Sequence, residues 1–206
     1  MALQNDIQQI NFDENSVDTW TFIWGNSQYT SSRFYRLAFR NSYTQRTFKW
    51  IWKSKCIPML KFFAWLILLD RLNTKDMIRR RNFHVQPNTH CALCNDQVVE
   101  EINHLFFYCP FSTVCWQKIG LAWVTSLDIH SRLVEANYSF NSPYFMEIFI
   151  IAAWEIWNIR NGKIFEGHPV NIQLWIVRFN AQVLLQLHRV REDLRSAIVQ
   201  WLDTIL

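Results

Sequence analysis

From residue 31 onward, apolar side chains recur at helical spacing, and the polar positions between them mark where helices start and stop. Ser31-Ser32 can cap a helix with Phe34, Leu37 and Ala38 on its apolar face, and Phe48, Ile51 and Trp52 repeat that spacing in the next segment. Pro58 suits the first turn of a third helix carrying Met59, Phe62, Phe63, Leu66 and Leu69. Thr74 caps a fourth, short and basic, that ends near Arg81. One or two helical turns fit residues 100–107, and a further helix over residues 111–119 is stopped by Gly120. Residues 126–143 are polar and weakly patterned, which predicts a loose connection. Beyond it, residues 144–160 place Phe145, Ile148, Phe149, Ala152, Ile156 and Ile159 on one helical face. In residues 170–206, Leu174, Val177, Ala181, Leu184 and Leu185 form one apolar stripe and Leu194, Ile198, Trp201, Leu202 and Ile205 another, with a break near residues 191–193.

Only the start of the chain departs from this period. Residues 18–30 alternate Trp20, Phe22 and Trp24 on one side and reach Gly25-Asn26 before Tyr29, which predicts a short hairpin. The expected fold is therefore mainly α: a short N-terminal β-hairpin, a helical bundle with an inserted cysteine and histidine lobe, and C-terminal amphipathic helices. Residues 1–17 are expected to be a flexible N-terminus, residues 18–125 one domain, and residues 143–206 a C-terminal helical region.

Half of the residues are apolar, with eleven Trp and sixteen Phe, so a real core is expected rather than a disordered segment. The four glycines, Gly25, Gly120, Gly162 and Gly167, are scattered. No loop here can wrap backbone amides around a phosphate or dinucleotide. There is no G-x-S-x-G elbow, H-E-x-x-H pair or Walker-type lysine loop, so the chain is not expected to be an enzyme. Glu147 and Glu155, two turns apart, read as helix-face or buried groups rather than a paired acid and base. With no basic start, no leader-like apolar stretch and no run long enough to span a bilayer, the expectation is an unsecreted protein of the nucleus or cytoplasm, not membrane-bound.

The net charge of +4 hides a division along the chain. Residues 1–30 hold four acidic and no basic residues, whereas residues 31–81 hold thirteen Lys or Arg against only Asp70 and Asp76. Such an excess is either a solvated face or the footprint of a phosphate-rich partner. On the second reading Lys53, Lys55, Lys61, Arg71, Lys75, Arg79, Arg80 and Arg81 contact nucleic acid.

The clearest chemistry lies in Cys91-Ala-Leu-Cys94, followed by His104 and Cys109 in the spacing C-x2-C-x9-H-x4-C. A two-residue gap lets both thiolates of a knuckle turn reach one ion, and the second pair closes a tetrahedron. Four protein ligands leave no open position for water, so the site is structural, and soft thiolates with imidazole favour Zn2+, with iron next. His90 and His84 are rival ligands to His104, while Cys56 and Cys115 fall outside the pattern and read as packing residues.

Several motifs stand in order along the chain: Trp20 and Trp24 before Tyr29, Arg33-Phe34-Tyr35-Arg36-Leu37, Trp50-Ile51-Trp52, Pro58, Lys61-Phe62-Phe63-Ala64-Trp65 and Arg71-Leu72-Asn73-Thr74. Cys91-Ala92-Leu93-Cys94, Glu100-Glu101-Ile102-Asn103-His104-Leu105-Phe106 and Cys109-Pro110-Phe111 follow, closed by Val114 and Trp116. This series resembles the zinc-binding domain that follows the reverse transcriptase in plant LINE-type (non-LTR) retrotransposons. The resemblance covers about residues 18–120, and residues 154–165 are similar to the segment found after that domain. It implies that Cys91, Cys94, His104 and Cys109 are the ligands, and that the chain derives from a retroelement polyprotein. The Asp-Asp polymerase motif of that family is absent from the sequence. The resulting expectation is a zinc-stabilised nucleic-acid-binding module without polymerase activity of its own. The alternative is a module that binds a protein partner, or a second copy of itself, through the amphipathic C-terminal helices.

Overall fold

The computed structural model describes residues 25, 28–40, 44–84 and 88–205, and it divides the chain into two compact units, 1–43 and 44–206. Among the described residues it is mainly helical and contains no strand, only an isolated antiparallel bridge between His90 and Val99. The expected hairpin over residues 18–30 lies almost wholly outside the described residues.

Within the first unit, α1 (Ser31–Ala38) is capped by Thr30 rather than by Ser31 or Ser32, since the Thr30 side chain accepts from Arg33 N–H. None of its residues is buried.

The second unit holds α2 (Arg46–Lys53), α3 (Pro58–Leu68), α4 (Lys75–Arg80), α5 (Pro110–Lys118), α6 (Ile129–Phe140), α7 (Phe145–Phe165), α8 (Ile172–Gln186) and α9 (Glu192–Ile205). Start signals read from the sequence operate as expected at two of these. Pro58 occupies the first position of α3, and the Thr74 hydroxyl accepts from Met77 N–H at the start of α4. Gly120, at φ +73, ends the α5 segment in the left-handed region that glycine adopts without strain.

Helix α7 is the axis of the unit. Its predicted face is buried, and so are Met146, Ile150, Ile151 and Ala153 on its other sides, as befits a helix that is apolar nearly all round. It packs against α3, α5, α6 and α8. The tryptophans gather there: Trp154 meets Phe63 edge to face at 5.0 Å, Trp116 stacks on Phe149 at 5.8 Å, and Trp123 stands edge-on to Trp116 at 5.0 Å. Both fully buried indoles donate to backbone carbonyls, Trp116 to Phe106 and Trp175 to Ala152.

Three expectations are corrected. The stretch expected to be a loose connection contains α6, whose start is fixed by Asp128 accepting from His130 and Ser131 N–H and whose Leu133 and Ala136 are buried. The buried Arg132 guanidinium takes the place of apolar patterning there, donating to Tyr108 Oη at 2.7 Å and Leu127 O at 2.8 Å while lying 4.6 Å from the Phe107 ring. On α3 the buried face is Leu60, Phe63, Ala64 and Ile67, whereas Met59, Phe62 and Leu69 are exposed. On α8 the core takes Trp175, Phe179 and Val183, so the stripe of Leu174, Val177, Leu184 and Leu185 faces solvent. The second predicted stripe faces inward through Ile198 and Leu202, and the break before it falls at the turn Leu187–Arg189. No described helix is long and apolar enough to cross a membrane.

Candidate metal centre

Cys91 and Cys94 sit on a turn held by two backbone bonds, Cys91 N–H to Val98 O at 2.8 Å and Glu100 N–H to Thr89 O at 2.9 Å. Gln97 adopts φ +54 to close it. Leu93 N–H points at Cys91 Sγ from 3.4 Å, and the Asp96 amide serves Cys94 in the same way. Such amide donors stabilise thiolate charge.

The other two donors bracket a wide turn of π-helical geometry, His104–Tyr108, with His104 its first residue and Cys109 the residue that follows it. Cys109 N–H donates to His104 O at 2.7 Å, an i→i+5 bond that draws residue 109 back toward residue 104. Cys109 is also the N-cap of α5, where the Phe111 and Ser112 amides act on its sulfur. A thiolate at a helix N-terminus faces the positive end of the dipole.

These two segments bring the donor atoms of Cys91, Cys94, His104 and Cys109 within 4.8 Å of one another. Cys91 Sγ lies 3.9 Å from Cys109 Sγ, and Cys94 Sγ lies 3.3 Å from His104 Nε2. Metal–sulfur bonds of about 2.3 Å in a tetrahedron require sulfur–sulfur edges of about 3.8 Å, so the pair of thiols fits. Burial holds the His104 imidazole below its ordinary value, which keeps it in the neutral ligand form. Cys91 donates to Cys109, which raises the Cys91 thiol and, from the accepting side, lowers that of Cys109. Burial raises Cys94. An ion held by Cys91, Cys94, His104 and Cys109 would displace the remaining thiol protons, those of Cys91 and Cys94 included, and hold the three sulfurs as thiolates.

Residues 29–116 match the family model described as zinc-binding in reverse transcriptase. All four donors lie inside that zinc-binding segment. Neither a curated protein nor a solved structure matches the chain.

His84 and His90 lie outside the cluster. The carbonyl of His90 accepts from Lys75 Nζ at 2.9 Å. Cys56 and Cys115 are buried elsewhere; burial, aided by Glu147, pushes the Cys56 thiol up to about 12, and burial raises Cys115. Glu147 accepts from Lys55 N–H at 2.7 Å, and Glu155 is buried beside Asn158.

Sequence reasoning assigned no role to the residues behind the cluster. Glu100 is fully buried and accepts from Lys75 N–H at 3.1 Å, from Ala92 N–H at 3.3 Å and from Arg160 at 3.1 and 2.5 Å. One carboxylate thus ties the cysteine turn to α4 and to α7. Arg160 is steadied in turn by the Trp157 ring, 4.5 Å from its guanidinium carbon. The sequence signal was one glutamate of the pair Glu100-Glu101 and an arginine sixty residues further on, and only the fold pairs them.

The basic residues expected to contact nucleic acid separate into groups. Lys53 and Lys55 are exposed at the α2–α3 junction, and Lys61 donates to Trp52 O at 3.1 Å. Arg71 is exposed, and Lys75 is buried. Arg79 pairs with Asp76, Arg80 with both Asp70 and Asp76, and Arg81 donates to Asn73.

Proposed function

We propose that this chain is a zinc-stabilised, retrotransposon-derived nucleic-acid-binding module without polymerase activity of its own. The zinc half of the reading rests on the convergence of three thiols and one imidazole inside a segment that matches a zinc-binding family. Cys91, Cys94, His104 and Cys109 hold the ion, which supplies cross-linking of two otherwise separate turns and no open position for catalysis. The assignment to the plant LINE-type elements is part of the same reading and rests on the order of the motifs.

The nucleic-acid half rests on the exposed cations of the 44–84 stretch that no described acid neutralises, Lys53 and Lys55 foremost. Positive charge of this kind attracts phosphates at long range and releases counterions on contact. The test is a titration of zinc-loaded protein with a labelled single-stranded oligonucleotide across a salt series. Affinity is expected to fall with salt, with a log–log slope of about −0.7 for each phosphate engaged. No binding at low salt removes this half and leaves the zinc site standing.

A specific observation favours a second reading, a protein-interaction module. The α8 stripe of Leu174, Val177, Leu184 and Leu185 is exposed, with Val177 at 63 % and Leu185 at 61 %. Exposed apolar rows of this kind serve as docking faces. Sedimentation decides it: concentration-dependent self-association abolished by Val177→Asp supports the reading, and a monomer at every concentration without a captured partner counts against it.

A further inference from the structure

Trp52 is the large aromatic of α2 that the core does not take, 52 % exposed at the point where the helix ends. Beside it opens a cleft of about 420 Å³, lined also by Lys53, Lys55, Lys61 and Arg189. Arg189 arrives from the turn after α8, and its Nε donates to Lys55 O at 3.0 Å. Lys61 is held by the carbonyl of Trp52. Both fixed cations are thus oriented by neutral oxygens, and none of the four forms an ion pair among the described residues. Arg79 and Arg80 differ, because Asp70 and Asp76 engage them. The acid at this junction is Glu147, whose carboxylate is taken by the Lys55 amide. Four positive charges against one, drawn together from segments 134 residues apart, repel one another unless an anion joins them.

A second cleft of about 470 Å³ adjoins the first and shares Lys53 and Ser54 with it. Its walls include Trp50, Asn137 and Tyr138, the last 82 % exposed. Ser142, also in this wall, buries its hydroxyl oxygen without a hydrogen-bond partner among the described residues. Cations beside one ring and amide and hydroxyl groups beside others are the two components of a single-strand site: phosphates on the charges, unstacked bases on the rings.

Resting on the nucleic-acid reading above, we propose that this junction is a single-strand nucleic-acid subsite. Lys53, Lys55, Lys61 and Arg189 take the phosphates, Trp52 stacks one base, and the adjoining cleft receives the next. A single strand is favoured over a duplex because stacking on Trp52 requires a base free of its partner.

The experiment compares wild-type protein, Trp52→Ala, Arg189→Ala and, as a control, Lys118→Ala on α5, in binding a single-stranded oligonucleotide over a salt series. Zinc content and melting temperature confirm that each variant is folded. Trp52→Ala is expected to weaken binding about tenfold with an unchanged salt slope, the scale of one lost base–aromatic stack. Arg189→Ala is expected to flatten the slope by about 0.7, one phosphate on a single strand, while Lys118→Ala leaves it unchanged. A second measurement needs no variant: irradiation of an iodouracil-substituted strand on wild-type protein is expected to label the tryptic peptide spanning residues 50–53. If the wild type binds but the junction variants match it and the label falls elsewhere, the subsite is overturned and the module reading survives. If the wild type binds no strand, both fall. Displacement of the strand by polyglutamate of equal charge as readily as by unlabelled oligonucleotide also overturns it, in favour of an acidic protein partner.

Discussion

Glu100 shows how much a single side chain can hold in this protein. Its carboxylate joins the amide of Ala92 in the cysteine turn, the amide of Lys75 at the start of α4 and the guanidinium of Arg160 on α7. Arg160→Ala leaves that carboxylate buried and uncompensated, a change that costs about 3–5 kcal/mol in comparable pairs. Chemical denaturation is expected to show a loss on that scale, and a loss below about 1 kcal/mol would mean that the pair does not hold the turn. Among the histidines, His104→Ala is expected to release zinc and His90→Ala to retain it; the reverse result moves the ligand to position 90. Glu155 gives the pH dependence. Burial raises its carboxyl above the ordinary value, so the folded state binds its proton more tightly than the unfolded chain. Its stabilising contribution is complete below the unfolded value, near pH 4, and is lost as pH rises through the folded one. Glu155→Gln is therefore expected to raise the melting temperature at pH 7 and to make little difference near pH 4. An equal gain at both values contradicts this assignment.

Helices announced themselves in the sequence where a start signal met a clear apolar period, as at Pro58 and Thr74, and α7 was legible over residues 144–160 from the spacing of its apolar face, though the helix runs on to Phe165. Helix α6 was hidden because its core contribution is two apolar residues and a buried arginine, a combination that periodicity does not register. On α8 the period was right and the face wrong: two apolar stripes share the helix, and the aromatic one, Trp175 and Phe179, buries more surface and wins the core. The clustering of Cys91, Cys94, His104 and Cys109 was legible because a metal site constrains spacing directly, whereas the Glu100–Arg160 pair and the Arg189 closure depend on tertiary contacts. The shared core gives a prediction at this scale. A fragment of residues 44–125 ends before α7 and loses Trp154 and Phe149, ring partners of Phe63 and Trp116. It is expected to unfold without a cooperative transition even with zinc present, as followed by calorimetry; a sharp transition would show that the zinc-binding segment folds alone.

Across residues 44–206, the cysteine and histidine cluster and the hydrophobic core lie in one compact unit. His104 and Cys109 bracket the wide turn before α5, Cys109 as the N-cap of that helix, and α5 packs directly on α7. Metal binding is therefore expected to be coupled to the stability of the whole unit, since an ion at this cluster would link segments that the unfolded chain leaves apart. The most direct test is X-ray absorption at the zinc edge on protein purified without added metal. The account predicts one zinc per chain, with three sulfurs at about 2.3 Å and one nitrogen at about 2.0 to 2.1 Å. A metal-free protein that is fully folded, or a zinc shell of oxygen and nitrogen without sulfur, would contradict it.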